Sequence, residues 1–338
     1  MQKNLISIVM PVKNSENYLA SCLDSIIKQS DQHWELIAID DHSFDNSYKI
    51  LKSYAENDLR ISIHKNNEKG IISALQMAYQ YASGNIITRM DSDDIMPQNK
   101  LLCMKNALLI KGKNTIITGK VKYFSETIVS PGYINYQNWL NKICESNTHW
   151  DHLFEECVVA SPAWMMFKDD FDKSYAFHSN QYPEDYELVF RWYAAGMEIH
   201  GLNELVHLWR EHPKRTSRTN ENYQQLAFFR LKLFYFFKLK REKERPLVIF
   251  GAGKKGKMVA DLIIKNEKKF YWANSIKDDN QKVKSSKYDS YILSLKELEK
   301  LENPQIIVTA AKDINGTKIN EFMESKSWKE FQHYFYFR

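Results

Sequence analysis

Gly84-Asn85-Ile86-Ile87-Thr88-Arg89-Met90-Asp91-Ser92-Asp93-Asp94 is the stretch that decides the fold. Residues 86–90 have the length and apolar content of a buried strand, and they run straight into Asp91-Ser92-Asp93-Asp94. Gly84 stops the helix before it, in which Ile72, Leu75, Ala78, Tyr79 and Ala82 recur at helical spacing after Gly70. Moving outward, the short apolar runs 5–9, 36–39 and 61–63 read as three further strands. The run 5–9 leads to Pro11 and the run 36–39 ends in Asp40-Asp41. Between them lie helical repeats, one built on Tyr18, Leu19, Cys22, Leu23, Ile26 and Ile27, with Asn14 or Ser15 placed to cap it. Strands alternating with helices of this length predict an α/β fold with a mostly parallel sheet. Such sheets bind ligands beyond the carboxyl ends of their strands, and both acidic clusters stand at such ends.

The chain has 338 residues, 43% of them hydrophobic, which is enough for about two domains with real cores. Charged residues make up 26%, which excludes a disordered or a membrane-spanning chain. The net charge of +5 is small and uneven, with basic clusters at 214–218 and 238–245. That pattern suggests a local anionic partner such as phosphate or a lipid surface, and no nucleic acid. Cys22, Cys103, Cys144 and Cys157 have no paired short spacing and read as reduced residues. With no apolar signal region at the start and no run of about 18 apolar residues, the expectation is a cytoplasmic protein, at most peripheral to the inner face of the membrane.

Residues 95–206 are less regular and rich in Trp, Tyr, His and acids, as expected of a substrate-binding half built on loops. Residues 222–240 read as one aromatic helix in which Arg230, Lys232 and Lys238 are interleaved. Apolar residues almost encircle it, which favours a packing helix that bridges domains or forms a homodimer contact. The sharper alternative is a membrane-surface helix facing a lipid-linked acceptor. After a charged break ending at Pro246, a new strand leads into Gly251-Ala252-Gly253-Lys254-Lys255-Gly256 and a helix. The expected domains are therefore 1–215, a helical linker over 216–244, and a small Rossmann-like domain over 245–338.

Asp91 and Asp93, one residue apart at a strand end, can face one point if the backbone turns there. Mg²⁺ and Mn²⁺ favour such oxygen ligands and usually bridge to substrate phosphates. Alone, the cluster fits equally well a solvated loop or a cap, by Asp93 or Asp94, on the next helix. It does not stand alone. Ile8-Val9-Met10-Pro11-Val12-Lys13-Asn14, Asp40-Asp41-His42-Ser43-Phe44-Asp45-Asn46-Ser47 and Arg89-Met90-Asp91-Ser92-Asp93-Asp94 resemble the ordered motifs of family 2 glycosyltransferases with the GT-A fold. The resemblance continues at Glu184-Asp185-Tyr186-Glu187-Leu188 and Trp209-Arg210-Glu211-His212 and covers about the first 215 residues.

The resemblance implies an inverting transfer from a nucleotide-sugar donor, with a UDP-sugar expected, to a glycan or lipid-linked acceptor. By it, Pro11, Val12 and Asn14 line the nucleotide pocket, and Asp41 meets the base or ribose. Asp91 approaches the ribose, and Asp93 meets the diphosphate through Mn²⁺ or Mg²⁺. Asp185 resembles the catalytic base, while Arg210 and His212 match a late element that touches diphosphate or metal. Glu184 and Trp164 are candidates for sugar or acceptor contact. Independently, a leaving diphosphate needs positive charge beside it, and a carboxylate base works best in a partly apolar setting, here among Tyr182, Tyr186 and Trp192. Glu184-Asp185 equally reads as an acid-rich helix start after Pro183. The sequence departs from the family pattern at His42, where glycine is usual, at Phe44 for threonine and at Trp209 for tyrosine.

Gly251, Gly253 and Gly256 occupy the position of a phosphate loop, yet the following strand ends in Asn274-Ser275, with acids only at Asp278 and Asp279. A packing or regulatory module resembling the small domain attached to some bacterial glycosyltransferases is preferred over an oxidoreductase site. Two other functions compete with the transferase. A sugar-nucleotide nucleotidyltransferase would want a glycine-rich basic loop where Pro11-Val12-Lys13-Asn14-Ser15-Glu16 stands. A non-catalytic nucleotide-sugar-binding subunit would have no reason to keep Asp91, Asp93, Asp185 and Arg210 together.

Overall fold

The computed structural model describes residues 2–126, 128–215, 218, 220–265, 269–274, 284–285, 290–310 and 314–338. It divides into two compact units, Met1–Trp150 with Val158–Thr219, and Asp151–Cys157 with Asn220–Arg338.

In the first unit, strands β1 (Gln2–Val12), β2 (Trp34–Asp40), β3 (Ile61–Lys65) and β4 (Gly84–Arg89) alternate with helices α1 (Leu19–Ile27), α2 (Ser47–Asn57) and α3 (Ile71–Tyr81). The four strands are mutually parallel in the order β3-β2-β1-β4. Because β1 is flanked by β2 on one side and β4 on the other, the winding reverses there and opens a crevice at the carboxyl ends of β1 and β4. Ile6, Ile8, Val9, Met10 and Val12 of β1 are buried, as a strand covered on both faces requires. Gly84 opens β4 rather than ending a helix. A Cβ there would stand 2.4 Å from the Leu5 carbonyl oxygen, so glycine lets β4 lie against β1.

The sheet continues beyond α4 (Lys100–Lys111) with β5 (Thr115–Phe124), which is followed by α5 (Pro131–Ser146), β6 (Trp164–Phe167), α6 (Lys168–Lys173), α7 (Glu184–Ala194) and β7 (Glu198–Arg210). The full order is β3-β2-β1-β4-β6-β5-β7, with β6 antiparallel to both β4 and β5. The expected cap on α1 is not formed. Its N-cap is Tyr18, without a side-chain bond. Asn14 Oδ1 instead accepts from the Phe44 N–H (3.1 Å), and the Ser15 hydroxyl bonds Ser92 (2.7 Å) and the Lys13 carbonyl. Both side chains are drawn across the crevice to tie neighbouring strand ends together.

In the second unit, α8 (Gln225–Leu239) precedes β8 (Leu247–Phe250), α9 (Lys254–Lys265), β9 (Tyr271–Ala273), β10 (284–285), β11 (Ser290–Leu293), α10 (Leu295–Leu298), β12 (Gln305–Val308), α11 (Ile314–Ser325) and β13 (Tyr334–Tyr336). Its sheet runs β10-β11-β9-β8-β12-β13, parallel except for β10, which is a doubly wound order. The aromatic helix α8 belongs to this unit, with Phe229, Leu231, Leu233, Tyr235 and Phe236 buried. Phe154, from the Asp151–Cys157 segment, packs on Phe236, Phe335 and Phe337 of the same unit. Lys232, one of the basic residues interleaved in this helix, points inward, and its ammonium donates to the carbonyls of Glu155 (2.7 Å) and Arg338 (2.9 Å). The basic clusters are partly neutralised within the chain, since Arg215 and Arg218 pair with Glu211 and Arg245 pairs with Glu242. None of the four cysteines is held in a disulfide, and among the described residues no helix is long and apolar enough to cross a membrane.

Gly251, Gly253 and Gly256 lie between β8 and the first turn of α9. Gly251 has φ +114°, and a Cβ on Gly256 would stand 1.9 Å from the Gly251 carbonyl oxygen. Asp278 and Asp279 lie outside the described residues. Gly256→Ala should destabilise the second unit by about 2–4 kcal/mol, since backbone rather than a flexible side chain must move. A lowered urea midpoint checks this, and an unchanged one would show that the helix start can retreat.

Candidate functional site

The site is built where β1, β2 and β4 end. Pro11 and Val12, buried at the end of β1, pass into the exposed Lys13 and Asn14. The loop after β2 folds toward them: the Asn14 N–H donates to Ser43 (3.0 Å) and the Ser15 N–H to Ser47 (2.7 Å). His42, at a glycine position of the expected motif, has φ +56°, so the loop keeps the left-handed turn that glycine would take. Its Nε2 lies 3.0 Å from the Glu68 carbonyl oxygen, which helps to hold that turn.

Asp41 is buried and well supplied with donors. Its Oδ1 accepts from Asn66 Nδ2 and the Gly70 N–H, both at 2.9 Å, and its Oδ2 from Lys13 Nζ at 3.0 Å. Burial pushes its carboxyl up, but the Gly70 N–H, the Asn66 amide and the Lys13 ammonium outweigh burial and hold it below the usual carboxylate range. The neighbouring Asp40 is buried with Oδ1 unpartnered.

The Asp91–Asp94 turn is stitched to the end of β7. Ile95 and Leu208 exchange two backbone bonds of 3.1 Å each. Asp94 is not a helix cap. It is buried, with Oδ2 2.8 Å from His207 Nε2 and Oδ1 accepting from the Arg210 N–H at 2.7 Å. Burial, then Asp93 and Asp91, push its carboxyl well up, and burial pushes His207 well down. Arg210 lays its guanidinium between Tyr18 and Phe124 and donates from Nε to the Asp93 carbonyl oxygen at 2.7 Å. Asp93 Oδ2 lies 2.9 Å from His212 Nε2, and His212 packs on Tyr18. The third and the last of the expected motifs, 119 positions apart, thus meet.

On the other side, the start of α7 supplies Glu184 and Asp185. Arg89, buried at the end of β4, donates from Nε to Asp91 Oδ1 (2.7 Å) and from Nη1 to Glu184 Oε1 (3.2 Å). Asp185 is half-buried in a small pocket lined also by Arg89, Ser161, Trp164, Leu188 and Trp192. Its pKa is pushed up to about 7, first by burial and then by Glu184, with Arg89 and the Tyr186 N–H pulling the other way. Trp164 is almost wholly buried and packs edge-on against Trp192, so it forms the pocket's floor rather than a free stacking surface. Arg89, Lys13 and His207 had no assigned role in the sequence. Arg89 sits two residues before the first acid, but its burial left no local signal.

The sequence profile described as Glycosyl transferase family 2 matches residues 7–175, half of the chain. The chain belongs to this family. It is a glycosyltransferase of the GT-A fold that draws on a nucleotide-sugar donor. Among its relatives, glycosyltransferase GlyG of Streptococcus pneumoniae is 27% identical over 222 residues, 64% of this chain and 73% of GlyG. The Escherichia coli UDP-Glc:alpha-D-GlcNAc-diphosphoundecaprenol beta-1,3-glucosyltransferase WfgD is 35% identical over 151 residues, 43% of this chain and 58% of WfgD. Staphylococcus aureus TarS 1–349, solved with UDP-GlcNAc, superposes with a TM-score of 0.53 at 16% identity, covering 76% of this chain and 71% of that one. The mannosyltransferase PcManGT of Pyrobaculum calidifontis, solved with GDP-Man and Mn²⁺, gives 0.51 at 16% identity, covering 71% and 65%.

Glycosyltransferases of this fold commonly use a divalent metal, and the residues present fit one. Asp93 offers a carboxylate and His212 an imidazole side by side, and His212 Nδ1 is buried without a partner. Among the described residues no group of three or more His, Cys, Asp or Glu side chains converges on one point. Asp94→Ala should cost about 2–4 kcal/mol by leaving His207 and the Arg210 N–H without their acceptor. Urea unfolding reads this, and a cost below about 1 kcal/mol would show that water replaces the carboxylate.

Proposed function

We propose that the protein is an inverting, metal-assisted glycosyltransferase that moves a sugar from a UDP-sugar to a hydroxyl of a glycan or lipid-linked acceptor, with Asp185 as the base. The observation that carries this reading is Asp185 itself, a carboxyl poised near neutrality beside the turn that would hold the diphosphate. The acceptor oxygen attacks the anomeric carbon from the face opposite the diphosphate. As the new carbon–oxygen bond forms, the hydroxyl proton passes to Asp185, and the sugar–phosphate bond breaks with its electron pair leaving on the nucleoside diphosphate.

Pro11, Val12, Asn14, Asp41 and Asp91 form the nucleotide side of this site, and Arg210 adds positive charge toward the diphosphate. Glu184 orients Asp185 and faces the sugar. Asp93 and His212 would hold Mn²⁺ or Mg²⁺, which when bound neutralises charge on the departing diphosphate. The lipid-linked acceptor draws support from WfgD, whose own acceptor is a diphosphoundecaprenol-linked sugar.

Asp185→Asn should lower turnover by about a thousandfold while UDP affinity stays within about threefold, because the base acts on the acceptor and not on the nucleotide. Retained turnover would remove Asp185 from the role of base. In the parent protein, turnover should fall about tenfold per pH unit below about pH 7, where Asp185 takes up a proton, and level off above it. Asp93→Ala should give the same UDP affinity by calorimetry with Mn²⁺ present or chelated. A persistent metal effect would place the ion elsewhere.

A further inference from the structure

Arg89 joins two segments that lie 95 residues apart in sequence. Its side chain is buried, with Nε on Asp91 of the donor turn and Nη1 on Glu184 of the α7 start. Glu184 precedes Asp185, and Arg89 lines the same pocket as Asp185. A buried ion pair kept only for stability is readily replaced by apolar residues, so three carboxylates around one cation need another reason. The planar guanidinium fork also fixes the angle between two carboxylates, which an ammonium cannot do.

Resting on the reading of Asp185 as base, we infer that Arg89 is a positioning residue that couples the donor turn to the base: one fork sets both the Asp91 carboxylate and the first turn of α7. A shift of Asp91 on donor binding is passed through the fork to Glu184 and so to Asp185. The charged groups that face Asp185 are Glu184 on its own helix and Arg89 and Asp91 from the end of β4. Arg89 is the cation among them, and its loss would leave the three acids opposing one another. Asp185 would then hold its proton to higher pH, and the turn that receives the donor would lose its brace.

The test compares the full-length protein with Arg89→Met, Arg89→Lys and Asp185→Asn. UDP binding is measured by calorimetry with Mn²⁺, and release of UDP from UDP-glucose is followed as a function of pH. Arg89→Met should bind UDP at least about tenfold more weakly, and its acidic limb should move up by about one pH unit, so that raising the pH restores part of its turnover. Arg89→Lys, which keeps the charge and loses the fork, should fall between the parent and Arg89→Met on both readouts. If Arg89→Met does not fold, Arg89→Lys carries the test alone. Parental UDP affinity together with an unmoved acidic limb in the folded variants overturns the inference, as does a uniform loss of turnover at every pH with unchanged UDP affinity. If Asp185→Asn keeps its turnover, the base reading fails by itself, and the UDP affinities of the Arg89 variants still decide whether Arg89 braces the donor turn.

Discussion

Repulsion among carboxylates is the constraint around which this site is arranged. Asp41, Asp91, Asp93, Asp94, Glu184 and Asp185 gather beyond the carboxyl ends of β2 and β4, several of them largely removed from water, where like charges are costly. The chain answers with a separate partner for nearly every one. Asp41 has Lys13, Asn66 and the Gly70 N–H, Asp91 and Glu184 share Arg89, Asp93 has His212, and Asp94 has His207 and the Arg210 N–H. Asp185 is different. The bond to its side chain is the N–H of the next residue, Tyr186, at 2.8 Å. Burial and Glu184 push its pKa up to about 7, and Asp94, although partnered, is also pushed well up by burial and by Asp93 and Asp91.

The same arrangement explains why the site needs the whole first unit. β1 and β4 supply the floor and β4 also supplies Arg89, the partners of Asp93 and Asp94 come from β7 and the residues just after it, and α7 brings the second carboxylate on Arg89. Arg210 and His212 reach Asp93 because β7, at the far edge of the sheet, continues past it to meet the turn after β4 through the Ile95–Leu208 bridge. Arg89 reaches Glu184 because β6 enters antiparallel beside β4 and returns the chain toward α7. The Asp93–His212 pair and the Arg89–Glu184 pair are thus held on opposite sides of one turn.

The parallel half of the fold was legible because its signals are local. Apolar runs of strand length, helical spacing and acids at strand ends are patterns within about ten residues, and each one landed in the element expected. What escaped notice depends on distant partners. Asn14 and Ser15 look like caps, yet their side chains bond Phe44 and Ser92. Asp94 looks like a cap and is the buried partner of His207, 113 positions away. Arg89 reads as one basic residue before an acid, and only the antiparallel β6 and the return of α7 make it a buried fork. Lys232 reads as one of three basic residues interleaved in an aromatic helix, and it is buried with the carbonyl oxygens of Glu155 and Arg338 receiving its ammonium.

The glycine loop of the second unit is the converse case, a conspicuous local motif for which packing gives most of the account. Gly251 takes a positive φ, and a Cβ there would press on Thr309 Oγ1 at 2.8 Å. Gly256 lets α9 start against the Gly251 carbonyl, and that carbonyl also accepts from Trp272 Nε1 at 3.0 Å. Two of the three glycines are therefore required to join strand to helix whether or not a phosphate ever approaches. Gly253 has open space around its Cα, so packing does not demand it. At the end of β9, where a dinucleotide site would place a carboxylate for the ribose hydroxyls, stands Asn274. A glycine pattern that packing already explains, next to a strand end without the acid, weighs toward a loop that shapes the fold.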